Sequence, residues 1–251
     1  MSRVKMAGVT GGSGHIGSAI CSHLLALDCI DRVVVLDIKA PDKNLSGKID
    51  FIKCDLSDEN FVEHIAAYLD EADGDVSTLV HCAAFYGDMP GWDCSFEDET
   101  NEAWKKVFSI NTFALFSLIQ KLLFTGGQEQ KLSLINISSY YGSKAPNPAL
   151  YEGLAMTNVC SYGASKAASE QIVRWVSGMF GHRVRGNSIA LGGIFRDQTE
   201  VFLQRYNATV PKRRMAFEDE VGSLVAFLAD PMKSEYIVGQ TIYLDGGKSI
   251  W

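Results

Sequence analysis

The chain lacks the features that mark membrane, disulfide-bonded and nucleic-acid-binding proteins. No apolar run reaches the ~18 residues a membrane span needs. The opening MSRVKMAGVTGG breaks into glycines before a signal-peptide core forms, so no leader is expected. The six cysteines, Cys21, Cys29, Cys54, Cys82, Cys94 and Cys160, are irregularly spaced and form no C-x-x-C pair. They read as reduced core or surface thiols, not a disulfide framework or metal site. Basic residues are outnumbered, 23 Lys and Arg against 30 Asp and Glu, for a net charge of -7. That balance argues against nucleic acid or an anionic membrane as partner and favours a cytoplasmic protein. Proline is scarce, and there are no repeats or low-complexity linkers, so no domain boundary is expected.

What remains is an ordinary globular composition. The 251 residues are 47% hydrophobic and 21% charged, enough for one large domain with a substantial core. Short runs rich in Val, Ile and Leu read as strands at 4–9, 32–37, 48–53, 76–84, 131–138, 183–190 and 240–245. Several are apolar without alternation, as parallel strands covered on both faces are. Helical patterns lie between them at about 14–27, 58–71, 100–125, 161–180, 198–206 and 217–229. The longest, NEAWKKVFSINTFALFSLIQKLLF, is apolar on more than one face, which predicts burial against the sheet and against another helix or subunit. Seven strands alternating with helices predict an α/β fold with a doubly wound parallel sheet. YGDMPGW (86–92) and YGSKAPNPALYEG (141–153) follow strands four and five, at the carboxyl ends where such sheets hold ligands.

Between the first strand and first helix stands TGGSGHIG. Gly11, Gly14 and Gly17 suit a tight turn, a backbone approached by pyrophosphate, and close helix packing. Asp37 closes the second strand twenty residues after Gly17, where a carboxylate accepts bonds from the adenosine ribose and repels a 2′-phosphate. Lys39 nearby softens that repulsion. A dinucleotide is expected, NAD in preference to NADP.

In SYGASKAASE (161–170), Tyr162 and Lys166 are four apart on one helical face. A phenol must be shifted by about three pH units, roughly 4 kcal/mol, to exchange protons near neutrality. A neighbouring ammonium and a cationic nicotinamide both favour phenolate. In INISSYYG (135–142), Ser138 and Ser139 compete to hold a substrate carbonyl oxygen, on opposite faces of a strand.

These motifs, with the closing VGQTIYLDGG, resemble the short-chain dehydrogenase/reductase superfamily over essentially the whole chain. The resemblance implies one Rossmann domain, 1–251, sheet order 3-2-1-4-5-6-7, and substrate loops at 86–98, 141–161 and 192–215. It implies Tyr162 as proton donor and acceptor, and Lys166 as the residue that binds the nicotinamide ribose and lowers the tyrosine's pKa. Ser139, three before Gly142 as in the family's S-x-x-G, polarises the carbonyl. Asn111 anchors a proton-relay water. Asp55, with Leu56 beside it, meets the adenine, and Ala83 lies beside the cofactor. Ser13, His15 and Ile16 join the glycines at the phosphates, and Ile194 meets the carboxamide. No metal is implied. Copies of the chain are expected to pair through helix 100–125 and the Tyr162 helix, as a homodimer or homotetramer.

The departures from the pattern are informative. TGGSGHIG and HCAA (81–84) resemble the superfamily's extended branch, yet the chain ends too soon for that branch's substrate domain. Tyr151 sits at the shorter branch's spacing from Ser139, but Ala155 stands where lysine should, so Tyr151 is rejected. Leu191-Gly192-Gly193-Ile194 replaces P-G-x-[IV]. YEGLAMTNVCSYGASK resembles bacterial oxidoreductases of flagellin and surface-glycan modification, implying a sugar or nucleotide-sugar substrate. The expected activity is NAD(H)-dependent interconversion of a secondary alcohol and a ketone. The alternatives are a nucleotide-sugar epimerase or dehydratase with bound NAD, a 3-oxoacyl thioester or steroid-type carbonyl reductase, and a non-enzymatic NAD(H) sensor. His81 is expected to pack beside the cofactor. Arg196 fits a bidentate anion contact or a solvated loop. Lys144, Tyr86, Trp92, Met156 and Phe195 suit a pocket wall or a subunit interface.

Overall fold

The structure is a computed structural model that describes residues 4–42, 48–72, 74–86, 95–125, 131–154 and 158–250. Seven strands form one parallel sheet in the order β3-β2-β1-β4-β5-β6-β7. They are β1 (Val4–Thr10), β2 (Arg32–Asp37), β3 (Ile49–Lys53), β4 (Gly74–His81), β5 (Leu132–Ser139), β6 (Val184–Leu191) and β7 (Thr241–Leu244). The helices are α1 (His15–Leu25), α2 (Phe61–Glu71), α3 (Asn101–Phe108), α4 (Ala114–Thr125), α5 (Cys160–Phe180), α6 (Glu200–Ala208), α7 (Glu218–Ala229) and the short α8 (Pro231–Ser234). The order reverses between β1 and β4, opening a crevice at the strands' carboxyl ends.

The uniform apolarity of the strands resolves into two cores. Met6, Val34 and Leu36 face one layer, packed with Leu115 and Leu118 of α4 and Val173 of α5. Their neighbours Ala7, Val9, Val33 and Val35 face the other, with Ile20 of α1 and Val225 of α7. Strand alternation is present, but both faces are covered, so it does not appear as a polar-apolar alternation in the sequence. Arg185 of β6 is a buried exception. Its guanidinium donates to Leu228 O, Ala229 O and the Ser234 hydroxyl, tying the end of α7 and α8 to the sheet.

The expected continuous helix at 100–125 is interrupted. A π-helical turn, Ser109–Phe113, separates α3 from α4. Such a turn inserts one residue into the helical ladder and rotates the residues beyond it, often at functional sites. Here it carries Asn111 into the interior. The stretch Asn101–Phe124 is long and apolar enough to cross a membrane, but Val107, Leu115, Leu118 and Leu122 are buried in the domain. Its other face is uncovered: Phe113 is 60% exposed and Phe124 68%, beside Trp175 at 56% and Met179 at 60% on α5. Among the described residues, Cys21, Cys29, Cys54, Cys82 and Cys160 are all free thiols.

Candidate active site

The glycine turn is built by close approach. Gly11 has φ +68, and a Cβ there would stand 2.8 Å from the Ala83 backbone, so the end of β1 meets the end of β4 with no room for a side chain. A Cβ on Gly17 would lie 2.0 Å from Gly11 O. Gly17 therefore packs the helix closely against the turn itself. Gly14 caps α1 without any side-chain bond, and the first turn holds no acid. The unpaired N–H groups of that turn belong to residues His15, Ile16 and Gly17, which line a cavity of about 730 Å³. An uncapped helix start beside bare backbone fits a pyrophosphate.

Asp37 is on the same wall. It does not hang free in solvent: Oδ2 accepts from Ser13 N at 3.0 Å and Oδ1 from Lys39 N at 3.1 Å. Ser13 Oγ donates to Lys39 O at 2.7 Å, closing the loop. Asp55 accepts from the Ser57 hydroxyl at 2.6 Å and the Ser57 N–H at 2.9 Å. Those bonds hold its carboxyl below the usual range. Asp55, Leu56 and Ala83 line the cavity, as does Ile194.

Thr10 is a site residue the sequence reading did not single out. Its hydroxyl oxygen accepts from Cys82 N at 3.1 Å and Ala83 N at 3.2 Å, and pairs with His81 Nδ1 at 3.0 Å. With two N–H groups donating to it, the hydroxyl gives its own hydrogen to Nδ1, which assigns the imidazole proton to Nε2. Burial, and the Lys166 charge next, hold His81 down at about 3, so the ring is neutral. His81, expected to pack beside the cofactor, is fully buried and does not itself line the cavity, though Cys82 and Ala83 after it do. The signal was the threonine before the glycines, whose role depends on a strand about seventy residues away.

The other end of the cavity gathers Ser139, Tyr162 and Lys166. The two serines separate as strand alternation requires. Ser138 Oγ donates to Glu170 Oε1 at 2.6 Å, whereas Ser139 lines the cavity with Tyr162 and acts to lower its pKa. Lys166 Nζ lies 5.7 Å from the Tyr162 ring centroid and donates to Ile137 O at 2.8 Å. Burial brings Lys166 down to about 8. Burial also raises Tyr162 well above its ordinary value, helped by Tyr86, and Ser139 only partly opposes it. The expectation from spacing joined the Lys166 ammonium to a cationic nicotinamide; burial in the protein alone works against it. Lys166 stands one turn away but is itself desolvated and aimed at a carbonyl, so within the protein the phenol stays protonated.

Asn111 does not line the cavity either. Its Oδ1 accepts from Phe85 N at 2.7 Å, and its Nδ2 donates to Phe85 O at 2.9 Å and Ser165 Oγ at 3.0 Å. The side chain is spent pinning the segment after β4 to α5. Tyr86 and Arg196 are on the wall; Lys144 and Phe195 are not. Trp92 and Met156 lie outside the described residues, as do parts of the expected loops at 86–98 and 141–161. Tyr151, rejected as the acid, shares a hydrogen bond with the Tyr141 hydroxyl at 2.5 Å. The loop without its proline is braced by Tyr206, whose hydroxyl accepts from Gly193 N at 2.5 Å.

A family model described as enoyl-(acyl carrier protein) reductase matches residues 13–249. The post-translational flagellin modification protein A of Campylobacter coli is 25% identical, the match covering 97% of each chain. A 3-oxoacyl-[acyl-carrier-protein] reductase of rhamnolipid biosynthesis from Pseudomonas aeruginosa is 28% identical over 97% of this chain and 95% of that one. A short chain dehydrogenase from Leptospira borgpetersenii with bound NAD+ superposes with TM-score 0.85 at 27% identity, covering 98% of this chain and 93% of that one. A blue fluorescent protein from a metagenomic library, in complex with NADPH, superposes with TM-score 0.81 at 25% identity, covering 98% of both.

The glycine geometry is directly testable. Gly17→Ala is expected to fold, by circular dichroism, but to lose at least about 10-fold in NADH affinity, read as a vanishing thermal shift. Full NADH stabilisation of the variant would refute the cradle.

Proposed function

The chain belongs to the short-chain dehydrogenase/reductase superfamily of nicotinamide-dependent oxidoreductases, and from that premise we propose that it interconverts a secondary alcohol and a ketone on a sugar or nucleotide-sugar, with NAD(H). One observation carries the reading: Ser139, Tyr162 and, one turn on, Lys166 share a cavity with the glycine turn. The cofactor, held by the glycine turn, Asp37 and Asp55, supplies the hydride acceptor or donor.

The chain's own residues manage the oxygen and its proton. Ser139 donates to the substrate oxygen and fixes it where charge develops in reduction. Tyr162, protonated in its buried setting, delivers the proton to that oxygen as general acid. In oxidation the same phenol must first be lowered by added positive charge, part of it from Lys166. Lys166, near 8, gains and loses a proton close to neutrality and suits resupply of Tyr162. Asn111 acts by position, holding the Phe85 segment against α5 beside Ser165.

Asp37 supports NAD over NADP. Its charge ends β2, and the Lys39 contact to it is a backbone N–H, not the ammonium. A sugar is supported by the wall near Ser139, rich in the hydroxyls of Tyr140, Tyr141, Tyr151 and Tyr206, and by the flagellin-modification relative. The uncovered face of Phe113, Phe116, Phe124, Trp175 and Met179 supports pairing of two copies across α4 and α5.

Three outcomes test the chemistry and cofactor choice, and a fourth the pairing. Tyr162→Phe should lower kcat by ~100-fold or more while still binding NADH. Ser139→Ala should lose about 100-fold, whereas Ser138→Ala should keep turnover and lose about 1 kcal/mol of stability as Glu170 loses its donor. The opposite ranking of the serines would overturn the assignment. Asp37→Asn should move the NADP/NAD ratio of kcat/KM roughly 10-fold toward NADP; an unchanged ratio removes Asp37 from cofactor choice. Light scattering should give at least twice the 27.5 kDa chain mass for the native protein and a smaller species for Trp175→Glu. A native monomer at every concentration would dismiss the pairing.

A further inference from the structure

Three cations on the cavity wall, Lys106, Arg196 and Lys248, are left unused by this chemistry, and of these Lys248 is the buried one. Lys248 follows β7 in the sequence DGGK and opens a short 3-10 turn, Lys248–Ile250. It lines the cavity yet is only 7% exposed. Its Nζ donates to Thr209 Oγ1 at 2.8 Å and lies 4.7 Å from the Tyr206 ring centroid and 5.7 Å from that of Tyr140. Among the described residues no carboxylate forms an ion pair with it. The adjacent acid, Asp245, accepts from Gly247 N at 2.9 Å and Ser249 N at 2.8 Å and acts on the ammonium only from a distance.

A buried ammonium normally has a paired anion, because taking it from water is costly. Lys248 has aromatic faces instead, which attract a cation without neutralising it. Thr209 uses one of its three N–H donors. Burial pushes its pKa down, opposed only by Asp245. Its two rings place it. Tyr140 follows Ser139 in the chain, and Tyr206 braces the Gly193 loop. Lys248 is thus tied to the Ser139 end of the cavity, away from the glycine turn.

We propose that Lys248 recognises a carboxylate on the substrate, so that the enzyme acts on a hydroxy acid, or its oxo form, rather than a neutral sugar. Lys248 is a single buried ammonium with Asp245 nearby, and it matches one negative charge better than the two of a phosphate monoester, Arg196 on the same wall being exposed to solvent. The hydroxyls of Tyr140, Tyr141 and Tyr151 meet the remaining hydroxyl groups of an acidic sugar. The proposal rests on the reading that Ser139 and Tyr162 hold the reacting oxygen, and it names the class of molecule that brings that oxygen there.

The test uses NADH-loaded enzyme and a panel of three- to six-carbon hydroxy acids, each with its neutral amide, plus glucose and glucose 6-phosphate. Thermal shift and titration should show hydroxy acids binding the native enzyme. Lys248→Met should bind them roughly 10- to 100-fold more weakly, with the amides unchanged. Lys248→Arg should recover most of the loss, and NADH affinity should be equal in all three proteins. With a turned-over acid, the methionine variant should raise KM more than it lowers kcat. Equal acid binding by the native and methionine proteins overturns the proposal, as does no binding by any acid, or stabilisation by glucose 6-phosphate alone. The two readings fail separately. Tyr162-dependent turnover of neutral alcohols without acid binding sinks only the carboxylate site. Lys248-dependent acid binding with turnover indifferent to Tyr162→Phe sinks only the catalytic assignment.

Discussion

The carboxyl ends of β1 and β4 stand too close for a side chain between them, and the site is organised around that contact. Gly11, at positive φ, lies against the Ala83 backbone. The Thr10 hydroxyl gathers the N–H groups of Cys82 and Ala83 and the ring of His81 in one buried cluster. The strands diverge beyond this seam, toward β2 on one side and β5 on the other, and the crevice opens above it. Gly17 can then bring α1 down onto the turn, so that the helix start and the wall of the cavity are formed by the same contact. A polar cluster suits this position because buried backbone N–H groups need acceptors, and one threonine oxygen serves two of them.

Burial governs the chemistry at the far end. Tyr162 and Lys166 are both withdrawn from water, and desolvation moves them in opposite directions, the phenol up and the amine down. Each is pushed toward its neutral form. The pair is therefore not an ion pair awaiting a substrate but an acid beside an amine that titrates near neutrality. Ser139 acts the other way and favours the phenolate. On the proposed reading, such a site gives a proton readily and needs further positive charge to take one.

The cavity joins two electrostatic regimes. At the glycine end, bare N–H groups face Asp37 and Asp55, whose charges are held by backbone and hydroxyl donors. At the Ser139 end, aromatic hydroxyls surround a buried ammonium with no ion-pair partner among the described residues. On the proposed reading, a molecule spanning both would meet donors for phosphates first, then the reacting centre, then a cation.

Local patterning determined much of this protein. The seven strands, their alternation with helices, the glycine turn, the acid at residue 37 and the Tyr162–Lys166 spacing are short-range features, set by backbone sterics and a helical period that operate within a few residues. Strand alternation also made Ser138 and Ser139 face opposite ways, though not which way. The tertiary structure decided what depends on distant partners. Glu170 claimed Ser138, Phe85 claimed Asn111, and Thr10 took His81 out of the cavity. The protonation of Tyr162 followed total burial, which no spacing encodes. Lys248 met Tyr206, Thr209 and Tyr140 only because β5, β6 and β7 end side by side. Desolvation and long-range contact sum over the whole fold, so they become legible only when the chain is closed.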